Sequence, residues 1–182
     1  VSPHQPCRIH GAVRAHLTAM DPSPVDLVIT LTRQTLQLRR DGRVDREFLV
    51  STSRYGPGEQ SGSLCTPRGL HIIRAKIGRG LPVGAVLRGR RPTGEVFSPA
   101  LHQAAPGRDW ILSRILWLSG LEPGRNRLGR VDSMRRYIYI HGTPDHEPMG
   151  VPFSHGCIRM RNADLCCLFG AVPPGTRVNI VP

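Results

Sequence analysis

The sequence places a thiol and an imidazole at a spacing that suits acyl-transfer chemistry. Cys157 ends the run Ser154-His155-Gly156-Cys157, sixteen residues after His141. A cysteine attacks a carbonyl only as its thiolate, and a free thiol with a pKa of about 8.5 is mostly protonated at neutral pH. A nearby base such as His141 would remove that proton. Taken alone, Cys157 is more often a small buried hydrophobe and His141 a structural histidine.

Strand periodicity predicts the direction of His141. The segment 137–141 alternates, which turns Ile138 and Ile140 toward the core and His141 toward the opposite face. Gly142 follows at once, so His141 stands at the end of a predicted strand. We therefore expect His141 to act as a base, once it is considered together with Cys157.

The same periodicity, applied to an extended segment around Cys157, turns His155, Cys157 and Arg159 to one side. The charge of Arg159 would lower the thiol pKa, and its planar guanidinium could bind a substrate carboxylate through two hydrogen bonds. Gly156 would let a substrate carbonyl approach, and its amide and that of Cys157 could form an oxyanion hole. Ser154 and His155 are also expected to contact the substrate.

The connection 142–153 is predicted to be an ordered lid over this site. Its turn-forming residues are Gly142, Pro144, Pro148, Gly150 and Pro152. We expect His146 and Glu147, which lie within it, to be solvated rather than catalytic.

These residues resemble a known family, the L,D-transpeptidases with a YkuD-type catalytic domain, whose signature is a histidine followed by a Ser/Thr-His-Gly-Cys element. The matching motifs are IHGT at 140–143, GVPFSHGCIRM at 150–160, NAD at 162–164, STS at 51–53, TPRG at 66–69 and PGTRV at 174–178. The resemblance implies that Cys157 is the nucleophile and His141 the general base and later the acid. It also implies that the backbone carbonyl of Gly142 orients the imidazole.

The resemblance implies a reaction as well. Members attack the stem peptides of bacterial peptidoglycan, between the L-centre of the third, diamino acid residue and the D-alanine at position four. D-Alanine leaves, and the acyl group passes to an amine in transpeptidases or to water in L,D-carboxypeptidases. Both acceptors stay open for this sequence. Carbapenems commonly acylate members of the family, and no cofactor is expected.

Composition raises two alternatives from other classes. The net charge of +12 suggests nucleic-acid binding, but the 24 arginines and single lysine are scattered, which indicates a coding bias. A basic surface also suits the carboxylates of stem peptides, so we expect peptidoglycan peptides or muropeptides as partners and no nucleic acid. A zinc site would need His141, His146, His155 and Cys157, whose separations do not match structural zinc, so no metal is expected.

The cysteines and the first residues bear on the cellular compartment. Five cysteines without a CxxC spacing argue against a disulfide framework, and free thiols favour a reducing compartment. Residues 1–24 are expected to be a flexible segment and lack the apolar stretch of a signal peptide. We therefore expect a cytoplasmic enzyme of peptidoglycan recycling, or a periplasmic one if an export signal has been removed. No apolar run approaches the ~20 residues of a membrane span.

The elements that must position the site are predicted to be mostly strands. The ranges are 26–32, 35–39, 44–50, 70–77, 136–141 and 176–181, whereas 110–118 fits a strand or a helix. A helix is predicted over 162–169, with Asn162 as its N-cap and Gly170 as its stop. The predicted fold class is β-rich α+β, and the resemblance implies a YkuD-like mixed β-sandwich with one or two short helices, forming one catalytic domain over 25–182.

Overall fold

The structure is a computed structural model that describes residues 25–182, so the prediction for residues 1–24 lies outside the described residues. The strands are β1 Val25–Thr30, β2 Thr35–Arg40, β3 Arg43–Leu49, β4 Gly69–Ile77, β5 Ala85–Arg88, β6 Arg91–Val96, β7 Ile111–Gly120, β8 Tyr139–Gly142, β9 Ile158–Met160 and β10 Arg177–Val181. The helices are α1 Pro99–Ala104 and α2 Asn162–Ala171, with a short 3-10 turn at Gly129–Val131.

The strands form one mixed sheet in the order β3-β2-β1-β10-β4-β7-β5-β6, with β8 and β9 attached through β7. The pairs β1–β10 and β8–β9 are parallel, and the other strand pairs are antiparallel. The main core lies where β1, β2, β4 and β10 face β8, β9 and α2. The predicted β-rich α+β class, a mixed β-sandwich with two short helices, is confirmed.

Alternating burial explains why the central strands take these positions. Leu27 and Ile29 of β1 point into the main core, as do Val178 and Ile180 of the parallel strand β10. Burying one such side chain stabilises the fold by about 1.5–3 kcal/mol. The core therefore fixes the register of the strands that carry the site.

The strand β7 is the junction of the sheet, and it resolves the ambiguity over 110–118 in favour of a strand. Its register shifts between Leu112 and Ile115, where Ser113 has a φ of +65°. This bulge lets one strand pair with β4, β5 and β8. The Ser113 hydroxyl accepts the amide of Gly84 at 2.8 Å and donates to Asn162 Oδ1 at 2.6 Å, which ties the bulge to β5 and α2.

Several predicted boundaries are wrong. The strand predicted from residue 136 begins at Tyr139, and α2 runs through Gly170 to Ala171. The N-cap of α2 is Arg161 rather than Asn162. The Asn162 amide instead donates to the Thr143 carbonyl at 2.8 Å, so this side chain joins α2 to the end of β8. The hairpin β5–β6 and the helix α1 were not predicted.

The cysteines do not all have free thiols. Cys65, Cys157 and Cys166 are free, whereas Cys167 is disulfide-bonded. The expectation that Cys167 carries a free thiol is therefore wrong, and the cellular compartment stays a prediction.

His71 on β4 is a buried histidine held in its neutral form. One ring nitrogen, Nδ1, donates to the Gly69 carbonyl at 2.9 Å, and Nε2 accepts from the Ser133 hydroxyl at 2.9 Å. Burial disfavours the imidazolium and lowers the pKa of His71 to about 4. The unfolded chain binds this proton near pH 6.5, so between pH 6.5 and 4 protonation favours unfolding.

We expect His71 to make the folded state lose stability on acidification. The free energy of unfolding should fall by about 1.4 kcal/mol per pH unit from this group, or about 3 kcal/mol between pH 6.5 and 4. Urea denaturation of the wild type and of His71→Gln at several pH values measures the difference in slope. Equal slopes for the two proteins would contradict a buried neutral His71.

Candidate active site

The parallel pairing of β8 with β9 brings the predicted base and nucleophile to one face. Ile140 pairs with Ile158, so Cys157, one residue before β9, lies beside Tyr139. Alternate residues of a strand share a face, and in-register residues of paired strands point the same way. His141 and Cys157 therefore lie on neighbouring chain segments, two positions apart and on the face opposite the buried Ile140 and Ile158.

The His141 ring is oriented by its own strand. Its side chain is buried, and Nδ1 donates to the Gly142 carbonyl at 2.8 Å, the contact that the family resemblance implies. The other nitrogen, Nε2, makes no hydrogen bond to a described residue. The protein does not enclose this atom completely. Burial lowers the pKa of His141, so the ring is neutral at pH 7 with its Nε2 lone pair available.

Gly142 is required for this arrangement. A Cβ atom at this position would lie 2.3 Å from Asn162 Oδ1 and 2.6 Å from the Leu112 carbonyl oxygen. Any larger residue would push β8 away from β7 and α2. The close approach therefore fixes the carbonyl that holds the His141 ring.

The sulfur of Cys157 contacts the backbone of the strand that carries the base. It accepts the amide of Tyr139 at 3.4 Å and donates to the Tyr137 carbonyl at 3.4 Å. The side chain is half-buried and packs against an apolar cluster whose buried members are Leu87, Ile115 and Tyr139. Within residues 25–182 no hydrogen bond joins this sulfur to the His141 ring, so the two groups would have to approach each other before a proton could pass between them.

The resting site holds a protonated thiol. Burial raises the pKa of Cys157 to about 12, and the negative charge of Asp109 raises it further, although the Tyr139 amide and the charge of Arg159 lower it. The predicted effect of Arg159 on the thiol therefore has the right sign, but burial outweighs it. Because both the thiol and the imidazole are neutral, attack by this sulfur would require its proton to move to His141 at the same time.

The segment before Cys157 is a turn, so the prediction that it is extended from His155 is wrong. Residues 155–157 bend, β9 begins only at Ile158, and Gly156 has a φ of +124°, which favours glycine. The Gly156 amide donates to the Ser154 hydroxyl at 3.3 Å, and the Gly156 carbonyl accepts from Thr66 Oγ1 at 3.0 Å. In this state the Gly156 amide, one of the two predicted for the oxyanion hole, already has an acceptor.

Ser154 and His155 occupy different surroundings. Ser154 is fully buried, and its hydroxyl donates to the Cys157 carbonyl at 2.5 Å, so it positions the nucleophile and does not face a cleft. His155 is exposed and contacts the Arg54 guanidinium and the ring of Tyr55, whose centroid lies 6.3 Å from that of His155. Of the two, only His155 is placed where a substrate could reach it.

Arg159 is placed differently from its prediction as a substrate-binding residue. Its side chain is only 4% exposed, with Nη2 at 2.7 Å from Asp109 Oδ1 and Nη1 at 2.8 Å from Glu147 Oε2. Both arms of the guanidinium therefore hold carboxylates of the protein. Glu147, predicted to be solvated, also accepts from Thr143 Oγ1, so this network fastens the loop 142–153 beside His141.

Asp109 is a site residue that the sequence did not reveal. It lies in the loop before β7, next to Trp110 in sequence, and its charge acts on both His141 and Cys157. A single acidic residue in a loop gives no sequence signal for this placement. Only the fold brings it to Arg159.

A cleft of about 580 Å³ opens between the hairpin β5–β6 and the start of β7. Asp109 lines it, as do Leu87 and Ile111, which also belong to the apolar surroundings of Cys157. The apolar wall of the cleft therefore belongs to the cluster against which Cys157 packs. Among the described residues, no group of three or more His, Cys, Asp or Glu side chains could hold a metal ion.

Residues 24–180 match the YkuD family, described as the L,D-transpeptidase catalytic domain. The chain belongs to this family, as the sequence resemblance predicted. A curated relative, "Probable L,D-transpeptidase YbiS" of Escherichia coli (strain K12), is 48% identical over 46 residues, which are 25% of this chain and 15% of that protein. The chain thus spans only a small part of that relative.

Solved structures share the fold. An L,D-transpeptidase from Mycobacterium smegmatis superimposes with a TM-score of 0.56 at 19% identity, over 88% of this chain and 59% of that one. L,D-transpeptidase 3 from Mycobacterium tuberculosis, in complex with a faropenem-derived adduct, gives a TM-score of 0.54 at 18% identity, over 88% and 61%. Neither helix described in residues 25–182 has the length and apolar character of a membrane span.

We expect Cys157 to react with iodoacetamide only slowly at neutral pH. Because its pKa is raised to about 12, the alkylation rate should keep rising through pH 10 without levelling off. Mass-spectrometric peptide mapping distinguishes Cys157 from the other free thiols, and Cys157→Ala provides the blank. A plateau above pH 8 would show that the thiol ionises near its ordinary value.

We expect Arg159→Lys to destabilise the fold, because an ammonium cannot hold Asp109 and Glu147 together as the two NH2 groups of the planar guanidinium do. The free energy of unfolding should fall by about 2 kcal/mol, less than for complete loss of a buried pair because Asp109 is partly exposed. Arg43→Lys on exposed β3 is the matched control and should change stability by less than about 0.5 kcal/mol. Equal stability of the two variants in chemical denaturation would rule out this role of Arg159.

Proposed function

We propose that this domain is a cysteine acyltransferase that attacks peptidoglycan stem tetrapeptides between the L-centre of the diamino acid and D-alanine. The observation that carries the proposal is the shared face of Cys157 and His141, with the ring fixed through Nδ1 and its Nε2 left without a partner. The family supplies the substrate class, since L,D-transpeptidases act on peptidoglycan.

The reaction follows from the neutral pair. His141 Nε2 takes the thiol proton as the Cys157 sulfur bonds to the scissile carbonyl carbon. The C–N bond of the resulting tetrahedral intermediate then breaks, His141 gives its proton to the leaving amine, and D-alanine departs from the thioester. In the second half, His141 deprotonates the acceptor as it attacks the thioester carbonyl. The C–S bond then breaks, and His141 returns the proton to the Cys157 sulfur.

The surroundings suit this sequence of proton transfers. Because burial lowers the pKa of His141, the protonated ring readily gives its proton to the leaving amine, whereas it takes the thiol proton only as the C–S bond forms. The Gly142 carbonyl keeps Nδ1 protonated and Nε2 directed to the reaction. The Tyr139 amide, 3.4 Å from the sulfur, stabilises negative charge as it develops there. The oxyanion must be stabilised by other donors or by a rearranged turn, since Ser154 occupies the Gly156 amide.

The acceptor is either an amine of a second stem peptide, as in a transpeptidase, or water, as in an L,D-carboxypeptidase of peptidoglycan recycling. The faropenem-derived adduct of the Mycobacterium tuberculosis structure also supports the expectation that carbapenems, a related class of β-lactam, acylate Cys157. Mass spectrometry can identify the acceptor and can detect acylation of Cys157 by a carbapenem.

Incubation with a disaccharide tetrapeptide should give a protein whose mass is increased by the acyl group of the disaccharide tripeptide. The wild type and Cys166→Ala, which removes a half-buried thiol on α2, should both form this thioester, whereas Cys157→Ala and His141→Gln should not. Mass spectrometry of the products with and without an added amine acceptor then identifies the acceptor: tripeptide alone indicates a carboxypeptidase, and cross-linked dimer or D-amino-acid exchange a transpeptidase.

An acyl adduct of undiminished yield on Cys157→Ala would refute the proposed nucleophile. Circular dichroism should show that each variant keeps the fold, so that loss of the adduct reports chemistry.

A further inference from the structure

Arg90 lies at the tip of the hairpin β5–β6 and is held by three aromatic residues. Its Nη1 donates to the Tyr139 hydroxyl at 3.0 Å. The guanidinium carbon lies 4.7 Å from the ring centroid of Trp117 and 4.8 Å from that of Tyr137. A flexible side chain is thereby fixed in one position before any ligand binds.

The side chains that hold this guanidinium belong to the cluster against which Cys157 packs. Tyr139, its hydrogen-bond partner, is in register with Cys157, and adjacent strands are ~4.8 Å apart. Tyr139, Trp117 and Cys157 belong to the same side-chain cluster, so they share one face of the sheet. Gly89, the other residue of the hairpin turn, lines the cleft between the hairpin and β7.

The charge of Arg90 is not neutralised by the protein. Among residues 25–182, no carboxylate forms an ion pair with Arg90, in contrast to Arg159. Arg90 also interacts with the Tyr137 hydroxyl, and its side chain is partly exposed. A guanidinium has five N–H donors, so one that serves two tyrosine hydroxyls keeps donors for a carboxylate.

The backbone carries strain at this position. Gly89 and Arg90 form a two-residue turn in which φ is +54° and +68°, and the φ of Tyr137 is +56°. Glycine or asparagine would adopt the second position of such a turn at lower cost than arginine. Strained residues of this kind concentrate at ligand-binding sites. Here Arg90 and Tyr137 are both strained, and the guanidinium of Arg90 stacks on the ring of Tyr137.

We propose that Arg90 binds a free carboxylate of the peptide substrate. The proposal rests on the proposed function. Two carboxylates of the substrate have this chemistry. One is the terminal carboxylate of the leaving D-alanine, a single residue or ~3.8 Å of chain beyond the attacked carbonyl. The other is the carboxylate at the far end of a diaminopimelate side chain.

Binding to the inactive Cys157→Ala protein tests the proposal without requiring turnover. Three disaccharide tetrapeptides are titrated by calorimetry: one with diaminopimelate and a free C-terminus, one with a C-terminal carboxamide, and one with lysine in place of diaminopimelate. Adding Arg90→Gln should weaken binding of the first peptide by about 10- to 100-fold. Arg91→Gln, which removes an equal charge at the neighbouring exposed position, should leave the affinity unchanged.

The effect of Arg90→Gln should vanish for whichever peptide lacks the carboxylate that Arg90 binds. If the effect is lost with the carboxamide peptide, Arg90 binds the terminal carboxylate of D-alanine. If it is lost with the lysine peptide, Arg90 binds the carboxylate of the diaminopimelate side chain. An effect of equal size on all three peptides, or no effect on any, would overturn the proposal.

Steady-state kinetics of the enzyme with Cys157 intact separate the role of Arg90 from the proposed acyl-transfer function. Arg90→Gln should raise KM with little change in kcat, whereas failure of the wild type to form any thioester would refute the proposed function and leave the binding result standing. An unchanged KM together with an unchanged affinity would exclude Arg90 from substrate recognition.

Discussion

The site depends on the parallel pairing of β8 with the short strand β9. That pairing is held from the core side by Ile140 and Ile158, and it determines that His141 and Cys157 share the opposite face. Two further segments secure β9 and the turn before it: Ser51 exchanges backbone hydrogen bonds with Arg159 at 2.9 and 2.8 Å, and Thr66 holds the Gly156 carbonyl. A slip of one residue would turn the nucleophile into the core.

Burial then determines the chemistry of the pair. It lowers the pKa of His141 and raises that of Cys157, so the resting site carries no thiolate and no imidazolium. Two carboxylates near the thiol, Asp109 and Glu147, are paired with Arg159. Among residues 25–182 no carboxylate forms an ion pair with Arg90, so the carboxylate that we propose it binds belongs to the substrate.

Local patterns in the sequence were sufficient to select His141 and Cys157, which the fold brings to one face, and to predict the strand that carries His141. Alternation in 137–141 predicted the opposite directions of Ile140 and His141, and the motif around Cys157 identified the family. The roles of the arginines were not predictable, because the partners of Arg159 are Asp109 and Glu147, 50 and 12 residues away, and only the bulged strand β7 brings Asp109 to the site. The turn at Gly156 was not predicted either, because the alternation of residue types along the sequence gives no information about a positive φ.

The tautomer of His141 tests the central claim most directly, because the proton on Nδ1 leaves Nε2 free for the thiol. Nitrogen-15 NMR of the histidine rings, with His141 assigned by comparison with His141→Gln, reports which nitrogen is protonated at pH 7. We predict a neutral ring protonated at Nδ1 and bare at Nε2. A proton on Nε2, or a doubly protonated ring, would contradict the account.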